Sequence, residues 1–308
     1  MVSDIGAVIV TFNRLEKLKK ALESYEKQTL LPKYVIVVDN ASNDGTKEYL
    51  ESWKKEKSEY EKIVVSLTEN KGGAGGFYEG QKVAIIKAAD WIMHADDDLY
   101  FDKDYFRGIN NFIKAHNSEK YSIICGKIIE HEKIAIGHRL KMRSKWTIPF
   151  CKYIKEENYK KESFYCDMVS YCGITLNKEK LINAGLVNPE CFIWLDDWEH
   201  TYRMNKTGQI VCLTNVSANH DTELVPTILT WKLYYSYRNG IKFLKTHFKF
   251  QFPYLLLLLL CKTLLSPLKG TSFEEVIMRL TGIKDGICGN MGKHSVYCPG
   301  WKSKKYKE

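Results

Sequence analysis

Short apolar segments alternate with amphipathic segments over the first hundred residues, and this alternation constrains the fold more than any other feature. Each apolar segment has the length of a buried strand, and the first is followed by Leu15, Leu18 and Leu22 at helical spacing. The four predicted strands are IGAVIVT (5–11), YVIVVD (34–39), KIVVSLTEN (62–70) and WIMHA (91–95). Strands joined by helices pair in parallel, and the helices cover both faces of the sheet. The sequence therefore predicts an α/β fold with a mostly parallel sheet.

Polar or glycine-rich residues follow these strands at their carboxyl ends. Asp39 ends the second strand, and the glycine-rich loop 71–76 follows the third and precedes a helix predicted to reach about Ala89. Three aspartates follow the fourth strand. In open α/β sheets ligands bind beyond the carboxyl ends of the strands. We therefore expect these residues to meet in one cleft.

Asp96, Asp97 and Asp98 are adjacent carboxylates, which repel one another unless a counter-charge lies near them. In an extended segment alternate side chains share a face, so Asp96 and Asp98 are predicted to point one way and Asp97 the other. Two carboxylates held in this way bind Mg²⁺ or Mn²⁺ and leave coordination positions for a phosphate. Acidic residues also favour helix N-termini, but that preference does not explain three of them directly after a strand. The triad therefore predicts a divalent-cation site.

The stretch NKGGAGGF (70–77) follows a strand and opens a helix. Glycines let the backbone approach a ligand closely, and a helix N-terminus favours an anion. The stretch matches neither the Walker loop nor the GxGxxG pattern. By itself it indicates only a turn, but beside a cation site it indicates a diphosphate or the polar part of a substrate.

A second acidic cluster, WLDDWEH (194–200), comes about a hundred residues later. Asp196 and Asp197 can cap a helix. Alternatively, one of them is a general base that removes a proton from an attacking hydroxyl, and the helix dipole is expected to keep Asp197 ionised. His220, in ANHD, is a candidate metal ligand, although a single histidine is more often structural.

The second half of the chain is less regular. Strands are predicted at 121–130, 167–177 and 209–221, and a turn leading into a helix at 192–208. Residues 131–165 are basic, aromatic and poorly periodic, which is typical of a variable loop region.

Charge is unevenly distributed along the 308 residues. Residues 226–308 carry 14 Lys or Arg and four Asp or Glu, whereas residues 1–225 carry 32 and 33. The charge therefore divides the chain into a nearly neutral body at 1–225 and a basic, aromatic helical region at 226–308. Basic amphipathic segments with aromatic residues bind anionic membrane surfaces, so residues 227–269 are expected to contact a membrane, although part of this region also packs on the catalytic domain.

Nine cysteines occur without a CxxC pair, which favours free thiols and a reducing compartment. Residues 1–10 include Asp4 and are predicted to form a strand, which does not fit a signal peptide. The longest apolar run, FPYLLLLLLC (252–261), is too short to span a bilayer. The expected location is the cytoplasm, peripheral on the inner face of the cell membrane.

Five segments together resemble one enzyme family. VIVTFNR, VVDNASNDGT, NKGGAGGF, HADDD and FIWLDDWEHTYR, in this order and spacing, resemble the inverting family-2 glycosyltransferases of the GT-A fold over residues 4–222. GGAGGF with DDD and WLDD is most similar to bacterial galactofuranosyltransferases, and rhamnosyltransferases are also similar.

The resemblance implies roles for individual residues. It implies that Asp197 is the catalytic base, that Asp196 binds acceptor hydroxyls and that Glu199 supports their helix. It implies that Asp96, Asp98 and His220 hold Mn²⁺ or Mg²⁺, and it leaves open whether Asp97 touches the metal or the donor. It implies a donor site lined by Thr11, Asn13, Arg14, Asp39, Asn70, Gly72, Gly73, Ala74, Gly75 and Gly76, in which Asp39 holds the uracil or the ribose.

The implied reaction transfers a sugar, best fitted by galactofuranose from UDP-galactofuranose, to a sugar hydroxyl of a lipid-linked bacterial surface polysaccharide such as capsule or O-antigen. A rhamnosyltransferase using dTDP-rhamnose is the alternative. The resemblance implies that residues 1–225 are the catalytic domain, with a nucleotide-binding half (1–100) and an acceptor half (101–225), and we expect residues 131–165 to select the acceptor. The identities of the donor sugar, the acceptor and the metal stay open, as does the oligomeric state, including a homo-oligomer.

Two other classes fit less well. A sugar nucleotidyltransferase needs a glycine-rich basic loop after the first strand, where this chain has TFNRLEK. A non-catalytic nucleic-acid-binding protein would explain the basic tail, but both acidic clusters would repel phosphates. We therefore expect no nucleic-acid partner.

Overall fold

The structure, a computed structural model, describes residues 3–222 and 229–303. The described residues form thirteen strands and nine α-helices. The strands are β1 (Ile5–Thr11), β2 (Tyr34–Asp39), β3 (Glu61–Ser66), β4 (Trp91–Asp96), β5 (Leu99–Phe101), β6 (Tyr121–Glu130), β7 (Lys133–Ile134), β8 (Arg139–Met142), β9 (Cys151–Tyr153), β10 (Ser163–Cys166), β11 (Met168–Val169), β12 (Ile174–Asn177) and β13 (Gln209–His220). The helices are α1 (Leu15–Glu26), α2 (Thr46–Trp53), α3 (Gly72–Ala84), α4 (Tyr105–Ala115), α5 (Lys178–Ala184), α6 (Asp196–Met204), α7 (Lys232–His247), α8 (Phe252–Leu264) and α9 (Phe273–Cys288).

The main sheet is mixed, with the strand order β10-β13-β6-β12-β4-β1-β2-β3. The strands from β4 to β3 are parallel, whereas β12 runs antiparallel to both of its neighbours. All seven residues of β1 are buried, and alternate residues enter opposite cores: Ile9 packs with α1, and Val8 packs beneath α3. Coverage of both faces explains why the strands near β1 are continuously apolar.

Helix α3 lies unusually close to β1 because glycines face the strand. A Cβ added to Gly76 would lie 2.4 Å from Val10 Cγ1, and one added to Gly80 would lie 2.3 Å from Val8 Cγ1. The prediction of a glycine-rich loop at 71–76 is wrong in part, because α3 already begins at Gly72. The helix also ends at Ala84, whereas it was predicted to reach about Ala89. Several of these glycines are needed for helix–strand packing.

The second half departs from the predicted pattern in two places. The strand predicted at 167–177 is two short strands, β11 and β12, in different sheets. The predicted loop region 131–165 contains β7 to β10, and β8 and β9 form a three-stranded sheet with β11. The predicted strands at 121–130 and 209–221 are confirmed, apart from the last residue of the second.

The C-terminal helices pack on the rest of the chain. Helix α7 buries Arg238 and Asn239 against backbone of the segment 190–194, and α9 packs on α7. The predicted boundary between residues 225 and 226 lies outside the described residues, so the division into 1–225 and 226–308 stays a prediction. Within the described parts of the chain, no helix is both long enough and apolar enough to span a bilayer.

Candidate active site

The acidic triad, Asp96–Asp98, lies where β4 ends at the carboxyl edge of the sheet. β4 stops at Asp96, so Asp97 and Asp98 form the turn into β5. Arg14 Nη1 lies 3.2 Å from Asp97 Oδ1 and 2.7 Å from Asp98 Oδ2. Thr11 Oγ1 donates to Asp97 Oδ2 at 2.8 Å. The predicted alternation, with Asp97 alone on the other face, is wrong because the strand ends before it.

The positively charged side chains around the triad balance only part of its negative charge. Burial and the charges of Asp98 and Asp97 raise the pKa of Asp96 to about 7. Burial also raises the pKa of Asp97 to about 6, although Arg14 opposes this. The burial of Asp98 is outweighed by contact with His220 and Arg14, so the pKa of Asp98 is lowered. A divalent cation would stabilise the ionised forms of all three.

His220, the last residue of β13, faces the triad. Its Nε2 lies 3.3 Å from Asp98 Oδ1, and its Nδ1 lies 2.6 Å from Glu130 Oε1. Burial lowers the pKa of His220, but Asp98 and Glu130 outweigh burial and raise it to about 9. Asp98 Oδ1 is buried and accepts no well-formed hydrogen bond from the described residues. A divalent cation would displace the proton from His220 Nε2, and this nitrogen with Asp98 Oδ1 would then form a donor pair for Mn²⁺ or Mg²⁺.

The loops after β1 and β2 bring Asn13 and Asp39 together. The backbone N–H of Ser42 donates to Asp39 Oδ1 at 3.0 Å, and the backbone N–H of Asn13 donates to Ser42 Oγ at 3.0 Å. Asn13 Oδ1 accepts from the backbone N–H of Asn43 at 2.8 Å. Thr11 and Asp39 are also direct partners in the sheet. These predicted donor-site residues therefore share one edge of the sheet.

Asn40 connects this loop to the start of α3. Its Nδ2 donates to Asn70 Oδ1 at 3.2 Å and to the carbonyl of Gly72 at 2.9 Å, and its Oδ1 accepts from the backbone N–H of Lys71 at 2.9 Å. Asn40 is almost fully buried. Sequence reasoning named its neighbour Asp39 but missed Asn40, whose short amide is common in turns.

The glycines at the start of α3 differ in their surroundings. Gly72 has a φ of +74°, and a Cβ there would lie 2.0 Å from the carbonyl oxygen of Phe192. The backbone N–H of Ala74 donates to that same oxygen at 3.1 Å. A Cβ on Gly73 would meet nothing within 4 Å among the described residues. Gly72 and Ala74 therefore hold the segment before α6, and Gly73 is the glycine that faces open space.

The segment before α6 has a strained backbone. Phe192, Trp194 and Leu195 have φ angles of 61°, 64° and 62°, a region that non-glycine residues rarely adopt. Asn239 of α7 compensates for this strain, because its Nδ2 lies 3.0 Å from the carbonyls of Cys191 and Ile193 and 2.7 Å from that of Trp194. The C-terminal region thereby sets the position at which α6 begins.

Asp196 and Asp197 are the first two residues of α6. Burial raises the pKa of Asp196 to about 6. Burial, the charge of Asp196 and the charge of Asp96 raise the pKa of Asp197 well above its usual value. Burial and the charges of these two carboxylates therefore act against the helix dipole, which was expected to keep Asp197 ionised. Asp96 and Asp197 lie within electrostatic range of each other, so the two acidic clusters are close together.

Glu199 joins α6 to its neighbours. Its Oε1 lies 3.0 Å from Arg203 Nε and 2.9 Å from His247 Nε2 of α7. Burial acts to raise the pKa of Glu199, but these two partners outweigh it and the pKa is lowered. Glu199 thus connects α6 to α7 through His247, which fits the role of supporting this helix that the resemblance implied.

Lys232 is a further residue that sequence reasoning missed. It is the first residue of α7, where the helix dipole is positive. Burial and Arg14 lower its pKa, whereas Asp96 and Asp98 raise it, so its ammonium lies within electrostatic range of all three. More than 130 residues separate Lys232 from the triad in the sequence. For the basic tail we predicted a membrane contact and packing on the catalytic domain, but no residue of the active site.

Comparison with known proteins identifies the family. The profile of the family described as "Glycosyl transferase family 2" matches residues 7–175. The chain belongs to this family. The match confirms the predicted family, and the class of enzyme follows from it.

Curated relatives match a shorter part of the chain. Family members named galactofuranosyltransferase GlfT1 are 37% identical over 99 residues in Mycobacterium tuberculosis and 40% identical over 94 residues in Mycolicibacterium smegmatis. These matches cover 32% and 30% of this chain and 31% and 30% of the relatives. The chain thus matches about a third of the length of the curated relatives.

Two solved structures share the fold at low sequence identity. GalNAc-T7, crystallised with UDP, GalNAc and Mn²⁺, is 15% identical with a TM-score of 0.65 over 92% of this chain and 56% of its own. Residues 1–349 of S. aureus TarS in complex with UDP-GlcNAc are 16% identical with a TM-score of 0.60 over 92% of this chain and 80% of that one. The predicted α/β GT-A fold is confirmed.

Proposed function

We propose that this family-2 member is a metal-dependent inverting glycosyltransferase that transfers galactofuranose from UDP-galactofuranose to a hydroxyl of a lipid-linked bacterial surface glycan. One observation carries the proposal. The start of α3, at the carboxyl edge of the sheet, holds the segment that leads into α6, because Ala74 N–H donates to the Phe192 carbonyl at 3.1 Å, and the charge of Asp96 acts on Asp197. The names of the curated relatives support galactofuranose as the sugar.

Asp96, Asp98 and His220 are the residues that would hold Mn²⁺ or Mg²⁺. The buried Asp98 Oδ1, 3.3 Å from His220 Nε2, supports this assignment, as does the concentration of negative charge at Asp96. A bound divalent cation supplies stabilisation of the negative charge that develops on the leaving diphosphate. Thr11 holds the carboxylate of Asp97 by a hydrogen bond, and Asp97 in turn orients the guanidinium of Arg14 beside the same site.

The donor is placed at the carboxyl edge of β1, β2 and β4. The proposed nucleotide contacts come from Thr11, Asn13, Arg14 and Asp39, and the sugar-nucleotide contacts from Asn70 and Gly73, whose Cα faces open space. We add Lys232 as a diphosphate contact, because its ammonium and the positive end of α7 approach the triad.

Asp197 acts as the general base and Asp196 binds the acceptor. The acceptor oxygen forms a bond to the anomeric carbon while the bond from that carbon to the diphosphate oxygen breaks, and the bonding electrons leave with the nucleoside diphosphate. The hydroxyl proton passes to Asp197. A raised pKa makes Asp197 a stronger base, but it must first be ionised. Attack on the face opposite the diphosphate inverts the anomeric configuration.

A surface around α8 supports the proposal that the acceptor lies at a membrane. Leu255 and Thr263 are buried within α8, whereas Phe250 and Leu268 beside it are 94% and 84% exposed. The exposed apolar side chains of this surface include Phe250, Leu257, Leu264, Leu265, Leu268 and Phe273. Exposed Lys249, Lys262 and Lys269 flank them. Apolar side chains with a basic rim match an anionic bilayer.

Vesicle co-sedimentation tests the membrane contact. Binding should rise with the anionic lipid fraction and fall with salt, and Leu268→Glu should weaken it. Equal binding of both proteins to neutral and anionic vesicles would contradict this part of the proposal.

Ligand-induced thermal stabilisation tests the proposed donor and metal. UDP and UDP-galactofuranose should raise the melting temperature in the presence of Mn²⁺, and dTDP-rhamnose should do so less. Asp98→Ala should remove the Mn²⁺ dependence. Asp90→Ala is a matched control, because Asp90 precedes β4 at the opposite end of the same strand. A full Mn²⁺ response in Asp98→Ala would refute the metal assignment, and stronger stabilisation by dTDP-rhamnose would favour the rhamnosyltransferase.

A further inference from the structure

A cluster of nitrogen and sulfur side chains lies behind the triad. Ligand atoms of His138, Cys172 and His220 all lie within 4.8 Å of one another. His138 ends the short 3-10 helix 136–138, Cys172 lies between β11 and β12, and His220 ends β13. Three separate segments therefore converge on one point beside the proposed catalytic centre.

Glu130 lies between the two imidazoles. Its Oε1 is 2.9 Å from His138 Nε2 and 2.6 Å from His220 Nδ1. The other nitrogen of His138 lies 2.7 Å from Ser170 Oγ. The contact with Ser170 holds the ring of His138, and the contact with Asp98 holds the ring of His220, as hydrogen bonds hold histidine ligands in metal centres. A metal ion would replace the two hydrogen bonds to Glu130, so both nitrogens would become ligands and Glu130 Oε1 would supply the fourth.

The chemistry of this cluster differs from that of the triad. Carboxylates of the triad favour hard cations such as Mg²⁺ and Mn²⁺, whereas thiolate and imidazole ligands favour Zn²⁺ and Co²⁺. Four ligands of the Cys, His and carboxylate types are the number and kind that tetrahedral Zn²⁺ takes. Cys172 is 5% exposed and His138 is half-buried, so the cluster is shielded from bulk water.

We propose that His138, Cys172 and His220, with Glu130, form a second cation site that is selective for Zn²⁺-type ions. His220 belongs to both sites, since it also faces Asp98. A Zn²⁺-type ion that takes His220 removes it from the proposed catalytic cation site. Such an ion therefore inhibits transfer even when Mn²⁺ is abundant. The inhibition rests on the proposed function, whereas the binding site does not.

Cobalt spectroscopy of the full chain tests the site without any sugar donor. Co²⁺ bound by a thiolate gives a charge-transfer absorption in the near ultraviolet and, in tetrahedral geometry, intense visible bands. We expect both, saturating at one equivalent in the wild type. Cys172→Ala should lose the charge-transfer band, and His138→Gln should weaken Co²⁺ binding by at least about tenfold, the effect typical of altered metal-site residues.

Cys151→Ala is the matched control, because Cys151 in β9 is also a buried thiol but is not one of the clustered ligand residues. It should keep both bands. Absence of a thiolate band in the wild type would overturn the proposal, and so would an unchanged band in Cys172→Ala. Should Cys172→Ala fail to fold, the ¹¹³Cd chemical shift of the wild-type complex decides, since oxygen and nitrogen ligation alone would overturn the site.

An activity measurement separates the site from its proposed effect. With Mn²⁺ held constant, Zn²⁺ should inhibit the wild type, and His138→Gln should need about tenfold more Zn²⁺ for the same inhibition. Equal inhibition of both proteins would overturn the regulatory part. If none of the tested donors is turned over, the proposed function fails, while the cobalt spectrum still decides the cation site.

Discussion

Replacing Asn239 by Leu should impair turnover although Asn239 touches no substrate. Leu has a similar size but cannot donate, so it leaves the carbonyls of Cys191, Ile193 and Trp194 without their amide partner. These carbonyls belong to the strained segment that leads into Asp197. Without the amide, the segment is expected to relax and to move the base away from the acceptor hydroxyl.

The size of the effect follows from the hydrogen bonds of the Asn239 amide. Its two N–H groups are shared among the three carbonyls, and its Oδ1 accepts from Arg238 Nε at 3.0 Å. At about 1 kcal/mol for each of these three hydrogen bonds, the free energy of unfolding falls by about 3 kcal/mol. For a chain of this length about 1 kcal/mol lowers the melting temperature by about 2 °C, so a fall of about 6 °C is expected. A displacement of the base by about 1 Å lowers kcat by about 10²-fold.

The assay combines thermal unfolding, UDP binding and sugar transfer. The melting temperature and kcat should both fall, and UDP affinity in the presence of Mn²⁺ should be unchanged because the donor residues lie on other loops. Gln28→Met is the matched control. Gln28 is buried and lies just after the C-terminal end of α1. Its amide donates to the carbonyls of Ser24 and Asp102 and accepts from the backbone N–H of Phe106.

The control should lose a similar amount of stability and keep its kcat. An Asn239→Leu protein with a lowered melting temperature and a normal kcat would refute the idea that α7 positions the base. An equal loss of kcat in Gln28→Met would show that turnover depends only on general stability.

Three other predictions concern the reacting groups. Asp197→Asn should lower kcat by about 10²–10⁴-fold with UDP binding retained, whereas Asp196→Asn should act mainly on the acceptor KM; activity of both near the wild-type rate would exclude this motif as the base. Because a base acts only when it is ionised and the pKa of Asp197 is raised, kcat/KM should fall as the pH is lowered, at a pH well above the usual aspartate range. Asp196→Asn removes a neighbouring negative charge and should move this fall in the pH profile to lower pH. An unchanged profile would contradict an electrostatic effect of Asp196 on Asp197. Lys232→Met should weaken UDP binding about tenfold, the equivalent of about 1.4 kcal/mol, whereas Lys242→Met elsewhere on α7 should not; equal affinities in calorimetry would remove Lys232 from the donor site.

Part of the candidate site could be read from local patterns. Asp39, Asp96 and the start of α3 are next to strand ends, and in a parallel sheet those ends meet at one edge, so their convergence follows from topology. The register confirms it, since Thr11 pairs with Asp39 and Val10 with Asp96. The direction of single side chains was less predictable, as Asp97 shows, because alternation holds only as far as the strand continues.

Contacts between distant segments left no local pattern to detect. Lys232, Asn239 and Cys172 act, or are proposed to act, on groups far away in the sequence, and none belongs to a motif with recognisable spacing. The pKa of Asp197 is a similar case. The sequence showed a helix N-terminus, which stabilises a charged carboxylate, but burial and the neighbouring charges of Asp196 and Asp96 arise only after folding.

The sequence by itself determined the α/β class, the order of the first strands and the acidic residues at the sheet edge, because strand period, helix period and turn residues are local properties of the chain. The tertiary structure decided how those acids are paired, which glycines serve packing, and how α7 holds the approach to Asp197. These depend on distances between segments that are far apart in the chain, and such distances are set when the two cores and the C-terminal helices pack together.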